Sequence, residues 1–321
     1  MSANRVTLSD IAKELGVSVN TVSHALNDKS DISEAVKVKI KLKADEMGYI
    51  HNSIAGSMRS GKSMCIAVIV GDISNPHFSI MIKEIETVAF DKGYTVLVLN
   101  TFENEEIERQ AIKASLSRGV DGIIICPVQK TNNNINYLIK SQIPFTLIGR
   151  YFKNIDTNYV VCDDINGGYL AASYLINKGH KKIAVFMAPE YISSSEERKK
   201  GIENAFAENN VTASDINTYI VSPSLSEKDR VAFAKTKNCT AAICFSDLIA
   251  LALLSEREGS DIEIVSFDHI RSKFYMPLSF KSITSSKTKM SHHAFKILIN
   301  NIEDPYSEKQ HIVLPTEIVI N

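Results

Sequence analysis

The sequence predicts a small all-α domain followed by two α/β lobes, each built on a doubly wound parallel sheet. Residues 7 to 47 contain three short amphipathic patterns with helical period. From residue 65 onward, apolar β-rich runs alternate with amphipathic segments, which is typical of parallel sheets covered by helices. The alternation occurs in two consecutive series, so we expect two similar lobes with a ligand site beyond the carboxyl ends of their strands.

Length and composition indicate a multidomain globular protein. At 321 residues the chain is too long for one ordinary domain. Its 44% hydrophobic and 23% charged residues are ordinary for soluble protein. The formal net charge is -1. Any surface that binds DNA must therefore come from a local arrangement of side chains.

Cysteine usage and the N-terminal residues bear on the cellular compartment. The cysteines form no CxxC pair and have no histidines at zinc-ligand spacing, so we expect small buried hydrophobes in a reducing compartment and no metal. The N-terminus lacks the apolar core of a signal peptide, and no run approaches the ~18 apolar residues of a membrane helix. We therefore expect a cytoplasmic protein without a membrane partner. The five cysteines are Cys65, Cys126, Cys162, Cys239 and Cys244.

The first 50 residues predict three helices. Thr7 and Asp10 have the spacing of a capping box, Gly16 interrupts the first helix, and Ser18 is a favourable N-cap for the second. A third helix is predicted from residue 33 to about residue 47. The side chains expected to face inward are Leu8, Ile11, Ala12, Leu15, Val22, Ala25, Leu26, Val36, Ile40 and Ala44.

Two helices joined by a tight turn form a helix-turn-helix, in which the exposed N-terminal side chains of the second helix reach base edges in the major groove. Asn20 can bond an adenine edge, Val19 can contact a thymine methyl, and His24 can donate to guanine or phosphate. On the third helix the alternation of lysines spreads their charges around the axis, so most should be solvated and one or two should approach phosphate. These lysines are Lys37, Lys39, Lys41 and Lys43.

A polar linker and ten strands are predicted after the helical domain. Residues 51–63 contain two glycines and four serines, which weaken any helix that they form alone. The strand-like runs lie at 65–73, 94–100, 122–128, 144–149 and 159–164, and then at 182–188, 218–222, 241–246, 263–268 and 280–286.

Several segments resemble one known family over nearly the whole chain. VTLSDIAKELGVSVNTVSHALN and the following ISEAVKVKIKLKADEMGYIHNSIAGSMRSGKS resemble the N-terminal signature of the lactose repressor and galactose repressor family. Further resemblance lies in SNPHF (74–78), DDINGGYLAASYLINKGHKKIA (163–184), RKKGIENAF (198–206), FSDLIALALL (245–254), IVSFDH (264–269) and SITSS (282–286).

The resemblance implies a homodimeric repressor that binds a palindromic operator in double-stranded DNA and responds to a small-molecule effector. It also implies a sensor like a periplasmic binding protein, no cofactor and no enzymatic activity. Some members of the family depend on a protein co-regulator, which the sequence leaves open. The implied domains are 1–50, a hinge at 51–63, and a sensor at 64–321. The N-lobe would comprise about 64–161 plus 290–314, and the C-lobe about 162–289 plus 315–321.

Family positions for DNA contacts map residue by residue onto this chain. Members usually carry arginine where this chain has His24, so preference at that base pair should differ. In the hinge, Met58 replaces a leucine that wedges between base pairs in the minor groove. Base-reading positions fall on Val19, Asn20 and His24, phosphate partners on Thr7, Ser18, Thr21, Ser23 and Asn27, and hinge contacts on Asn52, Ala55, Met58 and Arg59.

Family positions for the effector map onto the expected cleft. Arg198 offers paired donors, and Asp268 at a strand end accepts from hydroxyls. Gly149 stands where related chains often have an acid, Ser246 replaces an asparagine, and Leu225 replaces an aromatic residue of sugar-binding relatives. A sugar and a phosphorylated or otherwise anionic ligand therefore both remain open. The implied effector contacts are His77, Phe78, Arg150, Arg198, Ser246, Asp247 and Asp268.

Two other functions fit parts of the pattern less well. A solute-binding protein for transport would share the two lobes, but it would carry a signal peptide and no helical head. An enzyme on a doubly wound sheet lacks a GxGxxG or complete phosphate loop here, since SGKS at 60–63 has no upstream glycine or strand. His180 is expected in a turn, and the adjacent His292 and His293 cannot share a helix face.

Overall fold

The computed structural model describes residues 6–50, 61–211, 216–222, 229, 232–233, 236, 238–256, 261–270 and 279–319. It divides the chain into two compact units, Met1–Ser63 and Met64–Asn321. Within the described ranges, no helix has the length and apolar character needed to cross a membrane. The predicted hinge contacts Asn52, Ala55, Met58 and Arg59 lie outside the described residues, as does Leu225.

The first unit contains the three predicted helices, α1 (Leu8–Leu15), α2 (Val19–Leu26) and α3 (Glu34–Glu46). The capping box is present, because the Asp10 carboxylate accepts from the Thr7 N–H at 2.8 Å and Thr7 Oγ1 accepts from the Asp10 N–H. Gly16 ends α1 in the left-handed region at φ 66°. The Ser18 hydroxyl then caps α2 by accepting from the Thr21 N–H at 3.0 Å. Local sequence signals therefore set these helix boundaries.

The core of this unit confirms most of the predicted inward face, with one correction. Val36 is 36% exposed, so its predicted burial is wrong. Lys37 occupies the buried position instead, since it shares a helix face with Ile40 and Ala44. Its aliphatic stem packs inward while Nζ donates to Glu34 Oε1 at 2.7 Å. The buried apolar residues are Ile11, Ala12, Val22, Ala25, Ile40 and Ala44.

The second unit contains two six-stranded sheets, which we call the N-lobe and C-lobe sheets. All ten predicted strands are present. Two further strands, β11 and β12, were not predicted, and they span only four and three residues. The N-lobe order is β11-β5-β4-β3-β1-β2 and the C-lobe order is β12-β10-β9-β8-β6-β7. The strands are β1 (Cys65–Val70), β2 (Thr95–Asn100), β3 (Gly122–Ile125), β4 (Phe145–Ile148), β5 (Tyr159–Cys162), β6 (Ile183–Met187), β7 (Ile216–Ile220), β8 (Ala241–Cys244), β9 (Glu263–Phe267), β10 (Lys281–Thr284), β11 (His311–Leu314) and β12 (Glu317–Val319).

Helices cover these sheets, and the chain crosses between lobes three times, after β5, β10 and β11. All described strand pairs are parallel except β10 with β12. This arrangement directs the carboxyl ends of the strands in each sheet toward one edge. The helices are α4 (Pro76–Asp91), α5 (Glu105–Ser117), α6 (Asn133–Ser141), α7 (Asp164–Asn177), α8 (Ser193–Glu208), α9 (Asp247–Glu256) and α10 (Lys287–Glu303).

Helices α7 and α8 approach each other closely enough for their backbones to touch. A Cβ at Gly168 would lie 2.0 Å from the Arg198 carbonyl oxygen. A Cβ at Gly201 would lie 1.9 Å from the Ile165 carbonyl oxygen. The two glycines therefore permit a contact that holds the start of α7 beside the second turn of α8.

Substitution at this contact should destabilise the sensor unit. We expect Gly168→Ala to lower the free energy of unfolding by about 1 to 3 kcal/mol, because the helices must separate. Gly167→Ala is the matched control, since its Cβ would meet side chains rather than backbone, those of Ile283 and Phe267 at 3.2 Å and of Thr316 at 3.6 Å. Urea unfolding of both variants tests the expectation. Equal free energies of unfolding for the two variants would show that the backbone contact between α7 and α8 does not limit stability.

Candidate functional site

The N-terminal end of α2 presents the side chains predicted to read bases. Val19 is 47% exposed, and Asn20 is also exposed. The N-terminus of a helix carries partial positive charge and unpaired N–H groups, which favour phosphate. The predicted contacts Thr7, Ser18, Val19, Asn20 and Asn27 are exposed, whereas Thr21, Ser23 and His24 are half-buried.

Several polar side chains of this head already have partners within it. His24 Nδ1 lies 2.6 Å from Asp31 Oδ2, and this hydrogen bond lowers the pKa of Asp31. Asp31 thereby orients the ring and leaves Nε2 as its second polar atom, a role that sequence analysis missed. The Asn27 amide donates to the Ser23 carbonyl at 2.6 Å, so it stabilises the end of α2.

The lysines of α3 are also largely engaged inside the head. Lys41 pairs with Asp28 at 2.6 Å, and Lys43 pairs with Glu46 at 2.9 Å. Lys39 is exposed and takes part in none of the ion pairs found among the described residues. Within the described part of the head, its charge is therefore not neutralised by an ion pair.

A cavity of about 60 Å³ lies between the two lobes at the carboxyl ends of their strands. Six of the seven predicted effector contacts line it, namely His77, Phe78, Arg150, Arg198, Ser246 and Asp268. Residues that sequence analysis did not assign to it are Asp72, Asn75, Glu103, Cys126, Gly149, Cys162, Asp164, Ser194, Phe245 and Met290.

Asp247 is the one predicted effector contact that does not line the cavity. It is fully buried and accepts hydrogen bonds from Ser282 Oγ and the Ile270 N–H, both at 2.8 Å, and from Ser266 Oγ. Burial raises the pKa of Asp247 to about 6. Its contacts tie β9 and β10 to the segment around Asp268 that follows β9.

Arg198 is the central cation of the C-lobe wall. Its Nε donates to Asp164 Oδ1 at 2.7 Å, and Nη1 donates to the Phe245 carbonyl at 2.6 Å. The guanidinium also lies 4.7 Å from the Phe245 ring centre and 4.1 Å from that of Phe267. Burial raises the pKa of Asp164 to about 6 although Arg198 opposes the shift. Nη2 has no hydrogen bond among the described residues, which leaves two donors for a ligand.

Arg150 occupies the opposite wall and is paired in bidentate fashion with Glu103. The two nitrogens of Arg150 lie 2.9 and 2.8 Å from the Glu103 oxygens, and Nη1 also donates to the Pro127 carbonyl. Glu103 reaches this position from a loop after β2 in which Phe102 and Glu103 both have positive φ, 52° and 53°. No local sequence pattern marks such a carboxylate, except its place after the carboxyl end of a strand.

A third set of charged and titratable side chains, His77 and Lys287, surrounds Asp268. The backbone of Asp268 has a strained φ of 97°. Its carbonyl accepts from Lys287 Nζ, and burial lowers the pKa of Lys287. His77 Nδ1 lies 3.4 Å from Asp268 Oδ1 without hydrogen-bond geometry. Burial lowers the pKa of His77 to about 4, although the Asp268 charge opposes the shift. Sequence analysis missed Lys287, which begins α10 at a crossover between the lobes.

The other histidines and the cysteines singled out in the sequence form no metal site or disulfide among the described residues. His180 lies in the turn before β6, as expected, with Nδ1 3.0 Å from Thr240 Oγ1 and Nε2 3.0 Å from Glu263 Oε2. His292 is exposed and His293 half-buried on α10. All five cysteines are free. Burial raises the pKa of both Cys126 and Cys162, which line the cavity, to about 12.

Comparison with protein families identifies both units. Residues 7–52 match the model of bacterial regulatory proteins of the lacI family. Residues 63–288 match the model of periplasmic binding proteins and the sugar binding domain of the LacI family. The chain belongs to the LacI family. It is therefore a DNA-binding transcription regulator controlled by a small-molecule effector, and the family consists of regulators rather than enzymes. The match over the head excludes the solute-binding alternative.

Individual LacI-family relatives match along almost the full length. The chain is 29% identical to the HTH-type transcriptional repressor PurR of Vibrio vulnificus, covering 98% of this chain and 97% of the relative. It is 27% identical to the HTH-type transcriptional regulator GalR of Salmonella typhimurium, covering 97% and 94%. A regulator from Enterococcus faecium with bound ribose matches 80% of this chain and 97% of its own, with TM-score 0.70 and 26% identity. The lac repressor dimer bound to operator shares the fold, with TM-score 0.82, 21% identity and coverage of 99% and 98%.

The low pKa of His77 predicts that the wild-type protein loses stability at acidic pH and that substitution of His77 prevents this loss. Between pH 4 and 6.5 the unfolded chain binds a proton at His77 that the folded chain does not, so acidification removes stability in this window. We expect His77→Gln to remove this loss. Relative to wild type, the variant should therefore gain about 2 kcal/mol on going from pH 7.5 to 5.

Thermal or urea unfolding at the two pH values measures this gain. Asp164 and Asp247 have pKa values shifted in the opposite direction, but they are common to both proteins and cancel in the comparison. His292→Gln is the control because His292 is exposed. A His77 variant that loses as much stability as wild type on acidification would contradict the assignment.

Proposed function

We propose that this LacI-family protein represses transcription as a homodimer on a palindromic operator and that a neutral, hydroxyl-rich small molecule, a sugar, controls it. One observation carries the proposal. The same chain presents exposed side chains at the start of α2, where bases would be read, and a cavity between the lobes in which both arginines are already paired with carboxylates.

Base reading is assigned to the exposed N-terminal turn of α2. Asn20 offers an amide that matches the adenine edge, and Val19 offers a methyl surface for thymine. His24, oriented by Asp31, presents Nε2 to guanine or phosphate. A single head has few such groups, so two heads on inverted half-sites double the specific contacts. The phosphate contacts proposed beside them are Thr7, Ser18, Thr21, Ser23 and Asn27, and the hinge contacts are Asn52, Ala55, Met58 and Arg59.

Asn20→Ala should weaken binding to the operator by about 1 to 3 kcal/mol and relax preference at one base pair, while binding to random DNA changes little. The matched control is Lys39→Ala, which should weaken both kinds of DNA equally and lower the salt dependence by about one counterion. Titrations of labelled operator and random duplexes at several salt concentrations measure both effects. An equal loss on the two duplexes for Asn20→Ala would make Asn20 a phosphate contact.

The charge balance of the cavity favours an uncharged effector. Four carboxylates face the two lining arginines and the neighbouring Lys287. A phosphate would compete with Glu103 and Asp164 for the guanidinium groups and would approach Asp268 at a repulsive distance. Hydroxyl groups can donate to Asp268 and accept from Arg198, so they satisfy both charges without displacing a partner. The four carboxylates are Asp72, Glu103, Asp164 and Asp268.

The relative with bound ribose supports a sugar as the class of effector. The family model over residues 63–288 also includes a sugar binding domain. A ligand that bridges Arg150 and Glu103 in the N-lobe with Arg198 and Asp268 in the C-lobe would favour one separation of the lobes. We propose that this change in separation alters the affinity of the paired heads for the operator.

Neutral pentoses and hexoses should raise the melting temperature of the protein more than their phosphates do. A ligand at 100 times its Kd stabilises by about 2.7 kcal/mol. Arg198→Lys keeps the charge beside Asp164 but loses the guanidinium fork, so we expect at least about a tenfold loss of sugar affinity. Affinity for the operator without sugar should be retained. Lys199→Ala, at the next position, is the control because Lys199 does not line the cavity.

A thermal-shift panel of sugars, sugar phosphates and nucleobases makes this comparison. Greater stabilisation by phosphates than by the parent sugars would contradict the charge argument. Equal sugar affinity of Arg198→Lys and wild type would remove Arg198 from the site.

A further inference from the structure

A ring of hydrogen bonds joins the two lobes beside the cavity. The Gln129 Oε1 accepts from the Ser193 N–H at 3.0 Å and lies 3.3 Å from the Ser193 hydroxyl. The Tyr151 N–H donates to Ser193 Oγ at 3.2 Å, and the Tyr151 carbonyl accepts from Gln129 Nε2 at 2.8 Å. We call these three residues the latch. Gln129 and Tyr151 belong to the N-lobe and Ser193 to the C-lobe, so the ring closes across the cleft.

The latch supplies a hydrogen-bond acceptor that the N-terminus of α8 lacks. The first N–H groups of a helix have no partner within it, and the N-cap of α8 is Ile192, whose side chain cannot accept a hydrogen bond. Gln129 satisfies the Ser193 N–H from the other lobe. Gln129 itself has a φ of 68°, a left-handed conformation that is costly for a residue other than glycine and must be held by its surroundings.

The latch residues are adjacent in sequence to residues of both cavity walls. Tyr151 follows Arg150, and Ser193 precedes Ser194 in the same helix that carries Arg198. The Tyr151 hydroxyl also donates to Glu197 Oε1 at 2.6 Å, one turn further along α8. None of Gln129, Tyr151 and Ser193 lines the cavity. The latch therefore fixes the separation of the two walls through atoms that a ligand does not use.

We propose that Gln129, Tyr151 and Ser193 are positioning residues that set the lobe-closure equilibrium of the sensor. They favour the closed arrangement through contacts independent of the effector, so they determine what fraction of the protein is competent to bind it. Apparent affinity falls in proportion when that fraction falls. Only this consequence for affinity rests on the proposed function. The geometric role concerns the sensor alone.

Amide hydrogen exchange of the full chain, without ligand or DNA, measures how often the hydrogen bonds of the latch open. The Ser193 amide is protected by Gln129 rather than by its own helix, so it exchanges when the lobes part. Gln129→Ala should accelerate exchange of the Ser193 amide by at least about tenfold. The Ile202 amide, within α8, should keep its rate. Equal acceleration at Ser193 and Ile202 would mean general destabilisation and would overturn the positioning role.

A matched control crosses the same boundary. Lys153 pairs with Glu196 at 2.7 Å, and both side chains are about half exposed, so the pair contributes little. Lys153→Ala should leave exchange at Ser193 within about twofold of wild type. Tyr151→Phe removes only the hydroxyl contact with Glu197 and keeps the backbone bond to Ser193, so an intermediate acceleration is expected.

Fluorescence gives a second, independent measurement of lobe separation. The chain contains no tryptophan, so Tyr191→Trp, in the loop just before α8, introduces a unique reporter. In this background Gln129→Ala should shift the emission to longer wavelength as the mouth of the cleft hydrates, whereas Lys153→Ala should not. The proposal is overturned if Gln129→Ala leaves both the emission and the Ser193 exchange rate unchanged. Because no ligand or operator is present, this result is independent of the tests of sugar binding and base reading.

Discussion

The buried guanidinium of Arg198 is the group around which the sensor is organised. It bonds Asp164 at the crossover into α7 and the carbonyl that follows β8, and it stacks on the ring of Phe267 at the end of β9. A buried cation without such partners would be strongly destabilising, so the positions of these elements and the charge are mutually dependent. The contact of α7 with α8 through Gly168 brings the helices close enough for that arrangement.

The same arrangement gives the cavity its chemical character. Each lobe contributes one arginine and at least one carboxylate that neutralises it, so the protein supplies the counter-charges that an anionic ligand would otherwise supply. What remains for a ligand is hydrogen bonding to groups whose orientation is fixed beforehand. Such preorganisation lowers the entropic cost of binding and makes selectivity depend on the positions of hydroxyl groups.

The sequence was sufficient for features determined by local or periodic signals. Caps at Thr7 and Ser18 and ten strands follow from residue types at fixed spacing. Features that depend on distant partners were not accessible in this way. Glu103 is distinguished only by Arg150, 47 residues away, and Asp247 is withdrawn from the cavity by serines on two other strands. On α3 the prediction buried Val36, whereas the structure buries the next residue, Lys37. The prediction was wrong there because the aliphatic stem of a lysine can be buried like an apolar side chain.

Sensitivity to an effector requires that the closed and open arrangements of the lobes differ little in free energy. Each neutral hydrogen bond of the latch contributes about 1 kcal/mol net, because water replaces it when the lobes part. A ring of a few such bonds is therefore comparable to the 1 to 3 kcal/mol that typically couples two sites. A buried ion pair in the same place would resist opening far more strongly. The neutral groups of Gln129 and Ser193 thus suit a boundary that must open and close, while the charged pairs Arg150–Glu103 and Arg198–Asp164 lie within single lobes, where they need not separate.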